Sequence, residues 1–184
     1  MECKIGYNKC KIRQEGDPVK DNFTRVGFER VFNVEKIITI FYMEFSKNFS
    51  YEGESHDFWE MVYVDKGEII ELSGEEEITL GAGEILFHEP CEWHNTRANG
   101  SVAPNVLVIS FKCKSKAMDA FKGRRMHIDS MQRELLRGIL SESRIAFSSR
   151  LDNPYDNDLV RCKNGRVGAE QMIGVYLTQL LISL

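Results

Sequence analysis

From Val31 to about Phe111 the apolar positions fall in short runs separated by turn signals. IITIFYMEF (Ile37–Phe45) is dense in the β-branched and aromatic residues that favour strands. FWEMVYV (Phe58–Val64) leads into Asp65-Lys66-Gly67, a tight turn with glycine available for a positive φ. EIIEL (Glu68–Leu72), the turn Ser73-Gly74-Glu75, EEITL (Glu76–Leu80), GEILFHE (Gly83–Glu89) and NVLVISFKC (Asn105–Cys113) follow. These runs leave no room for crossover helices, so the pattern predicts an antiparallel sandwich or small barrel and excludes an α/β fold.

The period then changes. Ile128, Met131, Leu135, Leu136, Ile139, Leu140 and Phe147 are spaced at helical intervals, with Arg133, Glu134, Arg137 and Glu142 on the opposite face. Asp129 or Ser130 is placed to cap this helix, and Met118–Phe121 suggests a shorter one before it. Ser148 to Gly165 is rich in Asn, Asp and Ser, holds Pro154, and reads as a loop. A last helix from about Gly168 sets Met172, Tyr176 and Leu180 on one stripe and Ile173, Leu177, Leu181 and Leu184 on the next. That stripe is too wide for a solvated helix. Leu136, Ile139, Ile173, Leu177 and Leu181 are therefore the candidates for dimerisation or helix packing.

Three segments are expected: a polar N-terminal arm over 1–22, a β-barrel over 23–113 and a helical region over 114–184. The sequence stops inside the helical pattern, at QLLISL, so a longer protein is expected. With 42% hydrophobic and 28% charged residues the chain is a folding one. A net charge of −4 argues against nucleic-acid binding in this form. The basic stretch between Lys112 and Arg150 carries no binding motif. No run has the length of a membrane span. Cys3, Cys10, Cys91, Cys113 and Cys162 are odd in number and irregularly spaced, which predicts free thiols in a cytoplasmic protein.

Candidate chemistry concentrates in GESHDFWE (Gly53–Glu60). On a regular strand Glu54, His56 and Glu60 point to one side, while Trp59, Met61 and Tyr63 take the other. With His94 arriving from a later strand or loop, two imidazoles and two carboxylates form a competent set for Zn, Mn or Fe(II). The spacing equally fits a plainer arrangement, with Glu54 and Glu60 as rim residues and His56 as a hydrogen-bonded pocket residue. His88, within ILFHEP, reads as a core or strand-edge histidine, and His127 as a surface or capping one. Phe58, Trp59, Tyr63, Phe87 and Trp93 suit either a small-molecule pocket or plain core packing. There is no P-loop, dinucleotide fingerprint, Cys-x-x-Cys or serine elbow.

HDFWEMVYVDKGEIIEL followed by LGAGEILFHEPCEWH resembles the cupin-type N-terminal domain of AraC/XylS-family transcriptional regulators. GAEQMIGVYLTQLLISL resembles the helix that closes that domain. The resemblance implies a mainly β fold, a double-stranded β-helix (jelly-roll-like barrel) followed by two or three α-helices. It also implies an unidentified small-molecule effector in the barrel, a homodimer, and DNA contact only through a C-terminal helix-turn-helix domain with no counterpart in 1–184. Cupin metal motifs are similar to His-x-His-x-x-x-Glu plus a later His, and the matching positions here are Glu54, His56, Glu60 and His94. Glu54 replaces the first histidine, and the Pro-x-Gly of the second segment is altered. An effector pocket of Glu54, His56, Phe58, Glu60 and His94 is therefore expected, with no catalytic residue, no enzymatic activity and no required cofactor, a divalent metal on Glu54, His56, Glu60 and His94 being allowed. The alternatives are a metal-dependent cupin isomerase or dioxygenase with Zn, Mn, Fe or Ni on Glu54, His56, Glu60 and His94, and a carbohydrate-binding β-module.

Overall fold

The computed structural model describes residues 24–184; the expected arm over 1–22 lies outside the described residues. The strands are β1 (Val34–Glu44), β2 (Trp59–Lys66), β3 (Glu68–Ser73), β4 (Glu76–Gly81), β5 (Glu84–His88), β6 (His94–Ala98), β7 (Asn105–Cys113) and the short β8 (Met126–His127). They form two antiparallel sheets, ordered β1-β7-β2-β5-β8 and β4-β3-β6. The segment before β2 joins the free edge of β6 through bridges Ser50–Arg97 and Glu54–His94. A 3-10 turn (Lys116–Phe121) leads to α1 (Ser130–Ala146), and α2 (Ala169–Ser183) ends the chain. The mainly β barrel followed by helices is thus as expected from the sequence. The sequence pattern missed β6 and β8.

The larger sheet is buried on both faces, and alternation sorts its side chains. On β2, Val62 and Val64 point into the barrel, where they meet Phe41, Met43, Phe45, Ile69, Leu80, Leu86 and Val106. Trp59, Met61 and Tyr63 point the other way and share a core with Ile40, Phe87, Ile109, Phe111 and the two helices. Each fully buried side chain of this size contributes about 1.5–3 kcal/mol, so covering the outer face with helices is a major source of stability.

α1 opens with a capping box. Asp129 accepts from the Gln132 backbone N–H at 2.8 Å, and the Asp129 N–H donates to the Gln132 side chain at 2.9 Å. The Gln132 amide also donates to the Ser183 carbonyl at 2.8 Å, tying the start of α1 to the end of α2. The two helices therefore run antiparallel. Leu136, Ile139, Ile173, Leu177 and Leu181 are all buried within the single chain, between helices and sheet.

Candidate metal centre

Four side chains reach one point from three places in the barrel. Glu54 and His94 are a cross-strand pair, their backbones bonded in both directions at 2.9 and 3.0 Å. The preceding Gly53 has φ +98°, and a Cβ there would lie 2.5 Å from the Trp93 ring. Only glycine lets this segment sit flat against β6 and bring Glu54 to His94. Glu60 comes from β2, where it pairs with Ser110 of β7 on one side and His88 of β5 on the other. His56 sits in the loop before β2. Its carbonyl accepts from the Cys91 N–H at 2.7 Å, and Cys91 itself takes a left-handed φ of 68°.

One potential ligand atom each from Glu54, His56, Glu60 and His94 lie within 4.8 Å of one another. Glu60 and His94 are buried, His56 is half-buried, and Glu54 is exposed at the mouth. Both imidazoles are pinned by their outer nitrogens. The Nδ1–H of His56 donates to the Phe58 carbonyl at 3.0 Å, and that of His94 to the Glu92 carbonyl at 3.1 Å. A carbonyl can only accept, so Nδ1 carries the proton and Nε2 of the neutral ring is left with a lone pair. Those two Nε2 atoms are buried and have no hydrogen-bond partner. Each lies 3.5 Å from a Glu60 oxygen, too long for a good hydrogen bond. Bonds of about 2.1 Å at tetrahedral angles put ligand atoms about 3.4 Å apart, so the spacing suits an ion between them.

The electrostatics favour a cation. Burial alone would push the Glu60 carboxyl up, but His56 and His94, when a proton occupies each inner nitrogen, outweigh it and hold it well below the usual carboxylate range; a metal cation on the lone pairs of the neutral rings would act in the same sense. Burial alone would lower His56, yet Glu60 and Glu54 draw it upward. The Ser110 hydroxyl donates to Glu60 at 2.8 Å and accepts from Thr39 at 2.7 Å, so a short buried chain fixes the carboxylate.

Behind His94 lies a second polar layer. His88 is fully buried and stacks on His94, with ring centroids 4.2 Å apart and planes at 11°. Its nitrogens lie 3.3 Å from Glu92 and 3.4 Å from Glu71. Burial would lower His88, but those two carboxylates raise it to about 9. Burial likewise opposes ionisation of Glu92, and His88, Ser73 and the Glu89 N–H bring it down to about 2. Glu71 is fully buried and accepts from the Thr96 hydroxyl at 2.8 Å. Sequence reasoning missed Glu71, Glu92, Ser110 and Thr39. Glu71 shares the inward face of β3 with Ile69, and Ser110 shares that of β7 with Val106 and Val108. In runs that are apolar on both faces, alternation does not say which face is the interior.

Phe58 stacks on His56 at 3.8 Å and lines a cavity of about 270 Å3 that Glu54, His56 and Glu60 also line. Trp59 is buried under the helices, whereas Trp93 is 44% exposed beside Gly53.

No protein-family model matches the sequence, and no curated protein matches it. Among solved structures, an RmlC-like cupin from Shewanella frigidimarina is similar, at 22% identity over 37% of this chain and 59% of that one, with a TM-score of 0.33. A predicted oxalate decarboxylase from Thermotoga maritima is 20% identical over 35% of this chain and 56% of that one, with a TM-score of 0.34. A cupin 2 conserved barrel domain protein from Rhodopseudomonas palustris is 21% identical over 51% of this chain and 60% of that one, also with a TM-score of 0.34. The match therefore spans less than two thirds of each of these proteins.

The expectation that the chain has no enzymatic capacity is corrected here. It rested on the resemblance to a regulator domain and on the replacement of a motif histidine by Glu54. A carboxylate is itself a metal ligand, and the four residues converge with two unpartnered imidazole nitrogens aimed inward. The divalent metal that the sequence reading allowed at Glu54, His56, Glu60 and His94 is compatible with this geometry. Among the described residues no helix is long and apolar enough to cross a membrane.

Proposed function

We propose that the barrel holds one divalent metal ion on Glu54, His56, Glu60 and His94 and presents it to a small molecule in the adjoining cavity. The pair of buried, unpartnered Nε2 atoms facing an ionised Glu60, each ring locked through Nδ1, carries this reading. The mixed nitrogen and oxygen donors suit Zn, Mn, Fe or Ni. When bound, such an ion supplies Lewis acidity toward an oxygen or nitrogen of the small molecule.

The chain's own residues do the rest. Thr39 and Ser110 hold the Glu60 carboxylate in one orientation. Phe58 keeps the His56 ring in plane. Glu54, exposed at the mouth, is the ligand best placed to give way to an incoming group.

An effector-sensing role for the same centre, of the kind the regulator resemblance implies, is favoured by one observation. β2 carries Glu60 on its inner face while Trp59, Met61 and Tyr63 on its outer face pack in the helical core. A ligand that moved Glu60 would thereby act on α1 and α2. Unchanged hydrogen-exchange protection in both helices on ligand binding would remove this second reading.

Equilibrium dialysis against Zn, Mn, Fe(II) and Ni tests the metal. One ion per chain is expected in the wild type, with loss in His56→Ala and His94→Ala while both variants stay folded. Uptake unchanged by both substitutions would overturn the assignment.

A further inference from the structure

The cavity beside the site has a wall rich in aromatic and aliphatic side chains. Phe41, Met43, Phe45, Phe49, Phe58 and Val108 form its sides, and Phe45 and Phe49 stack face to face at 3.7 Å. Pro154 and Asn157, from the loop between α1 and α2, close over it. Its polar lining includes the ligands Glu54, His56 and Glu60, with Thr39 and Ser110 beside Glu60, and also Tyr51 and Thr96. Among the described residues no lysine or arginine lines it.

Charge and size both select the occupant. Two carboxylates already balance a divalent ion, so an uncharged ligand leaves the pocket neutral. A dianion would bring two further charges into an apolar chamber with no cationic side chain to meet them, at a steep desolvation cost. An apolar cavity of about 150 Å3 is enough for a benzene ring. The volume here, about 270 Å3, therefore admits one ring with a short metal-binding arm.

We infer that this site takes a small, uncharged aromatic molecule that reaches the metal through a polar group at one end, and not a polyanion. The inference rests on the metal reading above. The aromatic ring lies between the phenylalanines, and the loop carrying Pro154 and Asn157 covers it.

Titration of the cobalt(II)-loaded protein, followed by the visible cobalt spectrum, tests this with three probes. At pH 8, 4-phenylimidazole carries a ring and an uncharged metal-binding head, imidazole carries the head alone, and oxalate is a dianion. Burial of the ring should make 4-phenylimidazole bind about tenfold or more tightly than imidazole. Oxalate should bind more weakly than either. In Phe49→Ala, which removes a wall away from the ligands, the preference for the ring should shrink while cobalt uptake and imidazole affinity hold. Equal affinity for the two imidazoles, or tighter binding of oxalate, would overturn the ligand class and leave the metal reading standing. Failure to take up cobalt at all would overturn both.

Discussion

At Glu60 a buried carboxylate is surrounded by groups that need it ionised: two imidazoles within 3.5 Å and the Ser110 hydroxyl at 2.8 Å. Partners of this second layer typically matter 10- to 100-fold for metal affinity. Ser110→Ala should therefore weaken metal binding by about that factor with the fold intact, as measured by competition with a chromophoric chelator; unchanged affinity would mean that Ser110 only fills space. Outside the four ligands, Tyr42 tests the electrostatics independently. Burial, then its 2.7 Å hydrogen bond to Asp65 and the charge of that carboxylate, push its phenol from 10.0 up to about 12. The neutral phenol is favoured by folding, so its contribution to stability is complete below pH 10 and is lost as pH rises from 10 toward about 12. The alkaline absorbance difference between wild type and Tyr42→Phe should show a phenol titrating near 12, and one titrating near 10 would refute the assignment.

At the level of elements, the flat approach of the Glu54 segment to β6 decides whether the ligands meet. Gly53→Ala asks an L side chain to hold φ +98° and drives a Cβ into Trp93. We expect metal affinity to fall at least about tenfold, from separation of Glu54 and His94, with a stability loss of about 1–3 kcal/mol in urea melts. A variant with native affinity would show that the Glu54–His94 bridge is dispensable. This element also marks where the sequence stopped being legible. The strands rich in Ile, Val and Phe, and the helix announced by Asp129 and its three-four spacing, were readable because their burial is apolar. β6 reads HNTRA. Its inward positions, His94 and Thr96, serve the site and the Glu71 network, and its outward ones, Asn95 and Arg97, are polar, so no apolar alternation marks it as a strand. Glu54, His56, Glu60 and His94 stood out by residue type and by likeness to a known motif. Their support from Ser110, Thr39 and the Glu71–His88–Glu92 layer depends on cross-strand register, which one sequence does not state.

For the molecule as a whole, the helices are a wall of the core. Leu177 and Leu181 are 0% and 1% exposed in the isolated chain, against the outer face of the sheet whose inner face holds Glu60. Leu177→Asp would bury an unpaired charge, costing several kcal/mol out of a typical total of about 5–15. It should therefore yield unfolded or aggregated protein rather than a folded monomer, as read by circular dichroism and sedimentation. A well-folded monomeric variant of a dimeric wild type would instead assign this stripe to a subunit interface. The same layering gives the barrel its functional asymmetry, with one sheet face sealed by helices and the other holding polar ligands beside an apolar chamber.

The central claim is that a metal ion sits among Glu54, His56, Glu60 and His94, and anomalous diffraction from crystals soaked in Zn or Mn, collected at the metal edge, tests it most directly. The account predicts one strong anomalous peak per chain within bonding distance of the Nε2 atoms of His56 and His94 and of the Glu60 carboxylate. A peak only at other positions, or none at these residues with both imidazoles still turned inward, would contradict it.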